Sequence, residues 1–264
     1  MIIAQISDTH IGRPGEKIAA MVDTAACLTR AVAQIGRLDP PPDALLITGD
    51  LVNGGTADEY AHLRELLAPL ALPTYVIPGN HDDRAALRFA FTDHSYLPGQ
   101  GFLHYTIDDL PLYLIALDTL VVGADAGALD QTQLDWLAAR LSRTQGRPTL
   151  IMMHHPPFDT GIGFMDAMGL RDGRAEFIRL VSTYPQVERI LCGHVHRAIE
   201  ARVGGTLAMT CPSTCHQIAL DLSGHGPAAF TLEPPGFRLH WWNGRQLVSH
   251  TASIGVFSGP YEFA

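Results

Sequence analysis

An α/β fold is predicted for this chain, on two observations. As far as residue 192, short β-type apolar runs alternate with stretches of helical periodicity. Beyond Gly204 the pattern changes to short strands in a segment richer in Gly and Pro, with hairpin-like turns such as Asn243-Gly244.

Taken in order, Ile2–Ile6 is the first strand, followed by a loop at Gly12–Gly15. Ile18, Met21, Val22, Ala25, Leu28, Val32 and Ile35 keep close to an i, i+3/i+4, i+7 spacing, which predicts a helix over Lys17–Leu38. Pro40–Pro42 stops it. Ala44–Thr48 is a strand running into Gly49-Asp50, and Thr56–Leu70 is predicted helical from a Thr cap. Thr74–Ile77 is a strand ending at Pro78-Gly79-Asn80-His81. Pro111–Leu117 and Thr149–Met153 are β-like, separated by a helix near Asp130–Ser142. A helix over Ala175–Tyr184 precedes the strand Glu188–Cys192, which runs into Gly193-His194. Later strands are expected at Thr206–Thr210, Gln217–Leu222, Ala229–Leu232, Phe237–Trp242 and Gln246–His250.

The 264 residues, 47% hydrophobic and 17% charged, suffice for a substantial core. A formal net charge of -9 argues against binding a nucleic-acid polymer or an anionic membrane surface. An anionic substrate must then be drawn in by local positive charge, and bound metal is the obvious source. Cys27, Cys192, Cys211 and Cys215 are too few and scattered for a disulfide framework and are expected to be buried free thiols. The N-terminus lacks a basic region and reaches Asp8 early, and no apolar run approaches the ~20 residues of a membrane span. A cytoplasmic soluble protein is the expectation.

The chemistry lies in polar residues that follow the strands: Asp8-Thr9-His10, Gly49-Asp50, Gly79-Asn80-His81-Asp82, His154-His155-Pro156-Pro157 and Gly193-His194-Val195-His196. Function in open α/β sheets gathers outside the carboxyl ends of strands, so five such loops at one sheet edge would bring these residues together. D-x-H and H-x-H put side chains at i and i+2, on one face of an extended segment. Carboxylate, imidazole and amide oxygen suit manganese, iron, zinc or cobalt rather than calcium. Asp50, alone in its motif, is the natural bridge between two ions. With Asp8 and Asp50 as the ionised ligands, two divalent cations keep a net positive charge. They would attract a phosphodiester and supply hydroxide near neutral pH.

In these motifs, spanning residues 8 to 196, the sequence resembles the calcineurin-like metallophosphoesterase superfamily. Ser7-Asp8-Thr9-His10, Gly15-Glu16-Lys17, Met153-His154-His155-Pro156-Pro157 and Cys215-His216-Gln217 look like its class III cyclic nucleotide phosphodiesterases and the bacterial glycerophosphodiesterases similar to them. The resemblance implies a four-layer α/β-β/α sandwich of two mixed sheets flanked by helices. It implies one metal on Asp8, His10, Asp50 and His196, and another on Asp50, Asn80, His154 and His194. His81 would face the phosphate, steadying transition-state charge or protonating the leaving alkoxide. His155 is an alternative to His154, or orients a neighbour through a ring nitrogen.

The expectation is therefore one compact domain. Residues 1–216 would form the catalytic core, and 217–264 would add strands that complete the second sheet and serve as a cap or dimerisation segment. Its expected function is phosphodiester hydrolysis by a metal-bound hydroxide, with Asp50 and His81 catalytic and Asn80, His81 and His216 touching substrate. The substrates would be 3′,5′-cyclic nucleotides, glycerophosphodiesters or both, and a homodimer or larger assembly is expected. A phosphomonoesterase is the alternative, although Arg13, Arg84, Arg171 and Arg197 offer no assignable extra cation; so is a non-catalytic scaffold on the same fold. Asp118 is read as a loop cap.

Overall fold

The computed structural model describes residues 1–144 and 146–263. Its first half runs β1 (Ile2–Ile6), α1 (Thr24–Ile35), β2 (Ala44–Thr48), α2 (Ala57–Leu67), β3 (Thr74–Ile77), α3 (Arg84–Ala90), β4 (Tyr105–Ile107), β5 (Tyr113–Ala116), β6 (Gly127–Ala128) and α4 (Gln131–Arg143). There follow β7 (Thr149–Met152), α5 (Gly163–Asp166), β8 (Leu170–Asp172), α6 (Arg174–Ser182), β9 (Val187–Cys192), β10 (Glu200–Val203) and β11 (Thr206–Thr210). The chain closes with β12 (Gln217–Ile218), β13 (Phe230–Thr231), β14 (Gly236–Trp242) and β15 (Leu247–Ser253).

Two mixed sheets carry the fold, one ordered β15-β14-β1-β2-β3 and the other β10-β11-β9-β7-β5-β4. Strand alternation then builds the layers. Ile3, Ala44, Leu46 and Ile77 of the first sheet meet Leu114, Leu150, Met152 and Leu191 of the second in a core between the sheets. Their neighbours Ala4, Leu45, Ile47 and Val76 face the opposite way, onto Leu28 and Val32 of α1, Leu63 of α2 and Leu87 of α3. On the far side Ile115, Ile151 and Ile190 pack on Leu134 and Leu137 of α4 and Phe177 of α6. Helix, sheet, sheet, helix is the four-layer sandwich.

The C-terminal strands depart from expectation. β14 pairs antiparallel with β1, matching Ile3 to His240, so β14 and β15 extend the first sheet rather than complete the second. The free edge of β1 takes them because β1 pairs with β2 on its other side alone. Helix α1 is also shorter than its apolar spacing predicts. Asp23 caps it by accepting from the Ala26 N–H, while Ala19 and Ala20 take positive φ and Ile18 and Val22 bridge each other in a separate turn. Of the predicted strand Gln217–Leu222, Gln217–Ile218 forms the strand, with one further bond from the Ala219 N–H to the Ala229 carbonyl.

Candidate metal centre

The motif residues lie at the carboxyl ends of β1, β2 and β3 in one sheet and of β7 and β9 in the other. They therefore converge at the seam between two sheets, not at one sheet edge as expected. The i, i+2 pairs do not converge through extended backbone either. Asp8, His10, Asp50, His194 and His196 all have positive φ, between 43 and 71°, a region non-glycine residues visit rarely and Asp and His more readily than most. Such conformations persist where the surroundings over-determine them.

They are held by close packing from neighbouring loops. A Cβ on Gly79 would overlap Asp50 Oδ1 and the Asp50 backbone nitrogen, so glycine is required before Asn80. Gly49, at φ +91°, lies against the His154 ring. Asp82, completing G-N-H-D, accepts from the Leu51 and Gly79 N–H groups and the Tyr60 hydroxyl, which ties the second and third motifs together.

Two sets of donor atoms result. In the first, His10 Nε2 stands 3.1 Å from His196 Nε2 and 3.5 Å from Asp50 Oδ2, and His196 Nε2 is 3.6 Å from Asp8 Oδ1. In the second, Asn80 Oδ1 lies 3.1 Å from His154 Nε2 and 3.0 Å from His194 Nδ1, with His154 Nε2 3.4 Å from Asp50 Oδ2. One oxygen, Asp50 Oδ2, faces both sets, while its partner Oδ1 accepts from the His81 N–H. All seven side chains are buried except Asn80, which is half-buried.

Protonation fits these sets to cations. Burial lowers His10 and His194 to about 3 and holds His196 well below the ordinary imidazole range, so all three are neutral. His196 Nδ1 donates to the His216 carbonyl and His154 Nδ1 to the Thr48 carbonyl. A carbonyl can only accept, so in neutral imidazoles these bonds leave Nε2 as a bare lone pair. Burial also acts on His154, but the Asp50 carboxylate outweighs it and raises His154 to about 9. The same contact holds Asp50 well below the carboxylate range against its own burial. Burial pushes Asp8 up to about 7, with His154 pulling the other way. A proton at His154 thus occupies a place where lone pairs of Asp50 and Asn80 also converge, and a divalent cation fits there.

His155 lies close to His154 and His194, but both its ring nitrogens are engaged: Nδ1 meets the Thr119 hydroxyl at 2.7 Å and Nε2 the Asp125 carbonyl at 3.0 Å. His81 is exposed, its Nδ1 donating to the Asn53 carbonyl at 2.8 Å and its ring edge-on to His10. The His216 ring sits 4.6 Å from that of His196. Asn80, His81 and His216 all line a cavity of about 310 Å³ over the two donor sets. Asp118 accepts from the Leu120 and Leu103 N–H groups, as a loop cap does, and also pairs with Arg84 at 2.6 Å. The supporting carbonyls of Thr48, Asn53 and His216 were not anticipated, because a backbone carbonyl has no residue signature. The apolar cavity residues Ile18, Phe164, Met165 and Met168 were not anticipated either, since an apolar side chain carries no mark in sequence that separates a cavity wall from core.

Among proteins of known sequence, a probable glycerophosphodiester phosphodiesterase of Arcobacter nitrofigilis is 38% identical, over 100% of this chain and 97% of its own length. A 3′,5′-cyclic adenosine monophosphate phosphodiesterase of Pseudomonas aeruginosa is 34% identical, over 90% of this chain and 84% of its own. Among solved structures, a dimetal phosphatase from Danio rerio superposes with a TM-score of 0.69 at 14% identity, covering 96% of this chain and 98% of that one, a likeness of fold. The family model for calcineurin-like phosphoesterases matches residues 1–198, a span containing every motif of the centre, and to that family the chain belongs.

Proposed function

We infer that the chain is a dinuclear metal-dependent phosphodiesterase acting on small phosphodiesters: 3′,5′-cyclic nucleotides, glycerophosphodiesters or both. The observation that carries this reading is a cavity walled by two donor sets sharing Asp50, with no Lys or Arg among its described lining residues. A diester monoanion needs no further fixed cation, whereas a monoester dianion asks for one. Arg84 is committed to Asp118, and Arg197 to Glu233 and the Ile218 carbonyl. The printed activities of the two relatives point the same way.

In this reading Asp8, His10, Asp50 and His196 hold one cation, and Asp50, Asn80, His154 and His194 the other. Mixed nitrogen and oxygen donors favour manganese, iron, zinc or cobalt. The two ions would supply Lewis acidity toward the phosphoryl oxygens and a nucleophile at neutral pH. His81, its Nδ1 fixed by Asn53, presents Nε2 from the cavity wall and in its protonated form donates to the departing oxygen. Asn80 and His216 line the same wall and contact the substrate. His155 positions its neighbours rather than binding metal.

No helix among the described residues is long and apolar enough to cross a membrane. Four free, buried thiols support a reducing, cytoplasmic location. A homodimer built through residues 217–264 belongs to the same proposal, supported by the exposed Val256, Phe257, Tyr261 and Phe263 after β15.

The test is turnover of 3′,5′-cyclic AMP beside a glycerophosphodiester by manganese-reconstituted protein, with a chelated control. A strong preference assigns the physiological class, and comparable slow rates on both define a broad diesterase. Absence of chelator-sensitive turnover on either would sink the function and leave the fold standing.

A further inference from the structure

The cavity has a second wall that the reaction chemistry does not use. Besides the donor side chains the cavity is lined by Phe164, Met165, Met168 and Ile218, which pack together, and by Ile18 from a separate cluster. Phe164, Met168 and Ile218 are partly buried and rest on a buried base of Ile162, Met165 and Val195. Val195 stands between His194 and His196 in the chain, so the apolar wall is seated directly on that loop.

This wall is built rather than incidental. Asp166 of α5 accepts from the Thr160 N–H and hydroxyl and from the Gly161 N–H, which fixes the turn leading into α5. A Cβ on Gly163 would come within 2.7 Å of the Gly224 carbonyl, so the loop after β12 is packed against the start of α5. Side chains held this way present a preformed apolar surface, of the kind that binds a ligand at little cost in ordering.

Resting on the diesterase reading, we propose that Phe164, with Met168 and Ile218, determines specificity by seating the spectator ester group, the one that stays on phosphorus. Within the small diesters of that reading, an apolar or aromatic spectator group gives faster turnover than a small or hydroxyl-rich one for the same leaving group. A small or hydroxyl-rich group leaves this wall uncovered, whereas a ring removes apolar surface from water on both partners. Because the spectator group takes no part in bond breaking, its effect is separable from that of the leaving group.

The experiment compares methyl p-nitrophenyl phosphate with benzyl p-nitrophenyl phosphate, which share a leaving group, using manganese-loaded protein. Rates are referred to the hydroxide rates of the two esters. The benzyl ester is expected to have a kcat/KM about tenfold higher. In Phe164→Ala that ratio should fall to about two, and in Met168→Ala to an intermediate value, while Phe164→Leu should restore part of it. A wild-type ratio near one, or a ratio unchanged in both alanine variants, overturns the proposal while leaving the diesterase reading intact. Absence of chelator-sensitive turnover of either ester would overturn the diesterase reading itself, and this inference with it.

Discussion

At the scale of single residues, Asp50 is the member on which both donor sets depend. Its Oδ2 faces His10 and His154, and its Oδ1 fixes the His81 backbone. Asp50→Ala is therefore expected to lose both metals and at least about 10³-fold in turnover, measured by metal analysis beside kinetics. His81→Ala removes no donor, and the His81 backbone N–H that reaches Asp50 stays; it should keep its metal and lose about 10²-fold in kcat. A proton inventory follows from His154, raised by Asp50 to about 9 when no cation is bound. Below that pH the metal-free protein carries the proton, and coordination must expel it. Metal affinity should accordingly rise with pH across the neutral range, and calorimetry in buffers of differing ionisation enthalpy should detect the released proton. An affinity flat in pH from 6 to 8, with no proton released, would contradict the paired Asp50–His154 arrangement.

At the scale of elements, the sequence was most legible where periodicity and punctuation agreed. β1, β2, β3 and β11 occupy the predicted residues because each is a short apolar run closed by a turn or a motif. Helix α2 stops at Leu67 rather than Leu70 because Pro69 forbids a further turn. The seven-residue α3 was too short to show a period, and β4 and β10 pair at sheet edges where local pattern is weak. In the centre, residue types and spacing pointed to residues that do converge, but not to how they meet. The left-handed backbone at Asp8, His10, Asp50, His194 and His196 is imposed by loops from two sheets, which no local window contains. Caps, by contrast, are local. Asp130 accepts from the Gln133 N–H while Gln133 returns to the Asp130 N–H, so Asp130→Ala should cost about 1 kcal/mol, read as a fall of a few degrees in Tm.

At the scale of the whole molecule, the two sheets are joined by more than apolar packing. The Gln5 side chain, wholly buried, donates to Thr48 Oγ1 in its own sheet and to the Cys192 carbonyl in the other, and its oxygen meets His240 Nε2 on β14. Gln5→Leu removes all three bonds and leaves His240 Nε2 without a partner, although the Cys192 carbonyl still accepts from the Cys211 N–H and Thr48 Oγ1 still reaches the Ile6 carbonyl; a loss of about 2 kcal/mol is expected in denaturant unfolding. Thr48 also holds His154 through its carbonyl, so the same variant should weaken metal binding with no donor removed.

Neither donor set is complete within one sheet. Each takes His154, His194 or His196 from loops after β7 and β9 and the rest from loops after β1, β2 and β3. Bound cations would then fasten the two halves like rivets driven late, after both plates are in position. A chain with only one sheet formed has no site to fill, so metal should leave the refolding limb of a chevron nearly unmoved and depress the unfolding limb. The ions that serve the chemistry would also set the lifetime of the folded protein, and chelation would shorten that lifetime before altering any rate of folding.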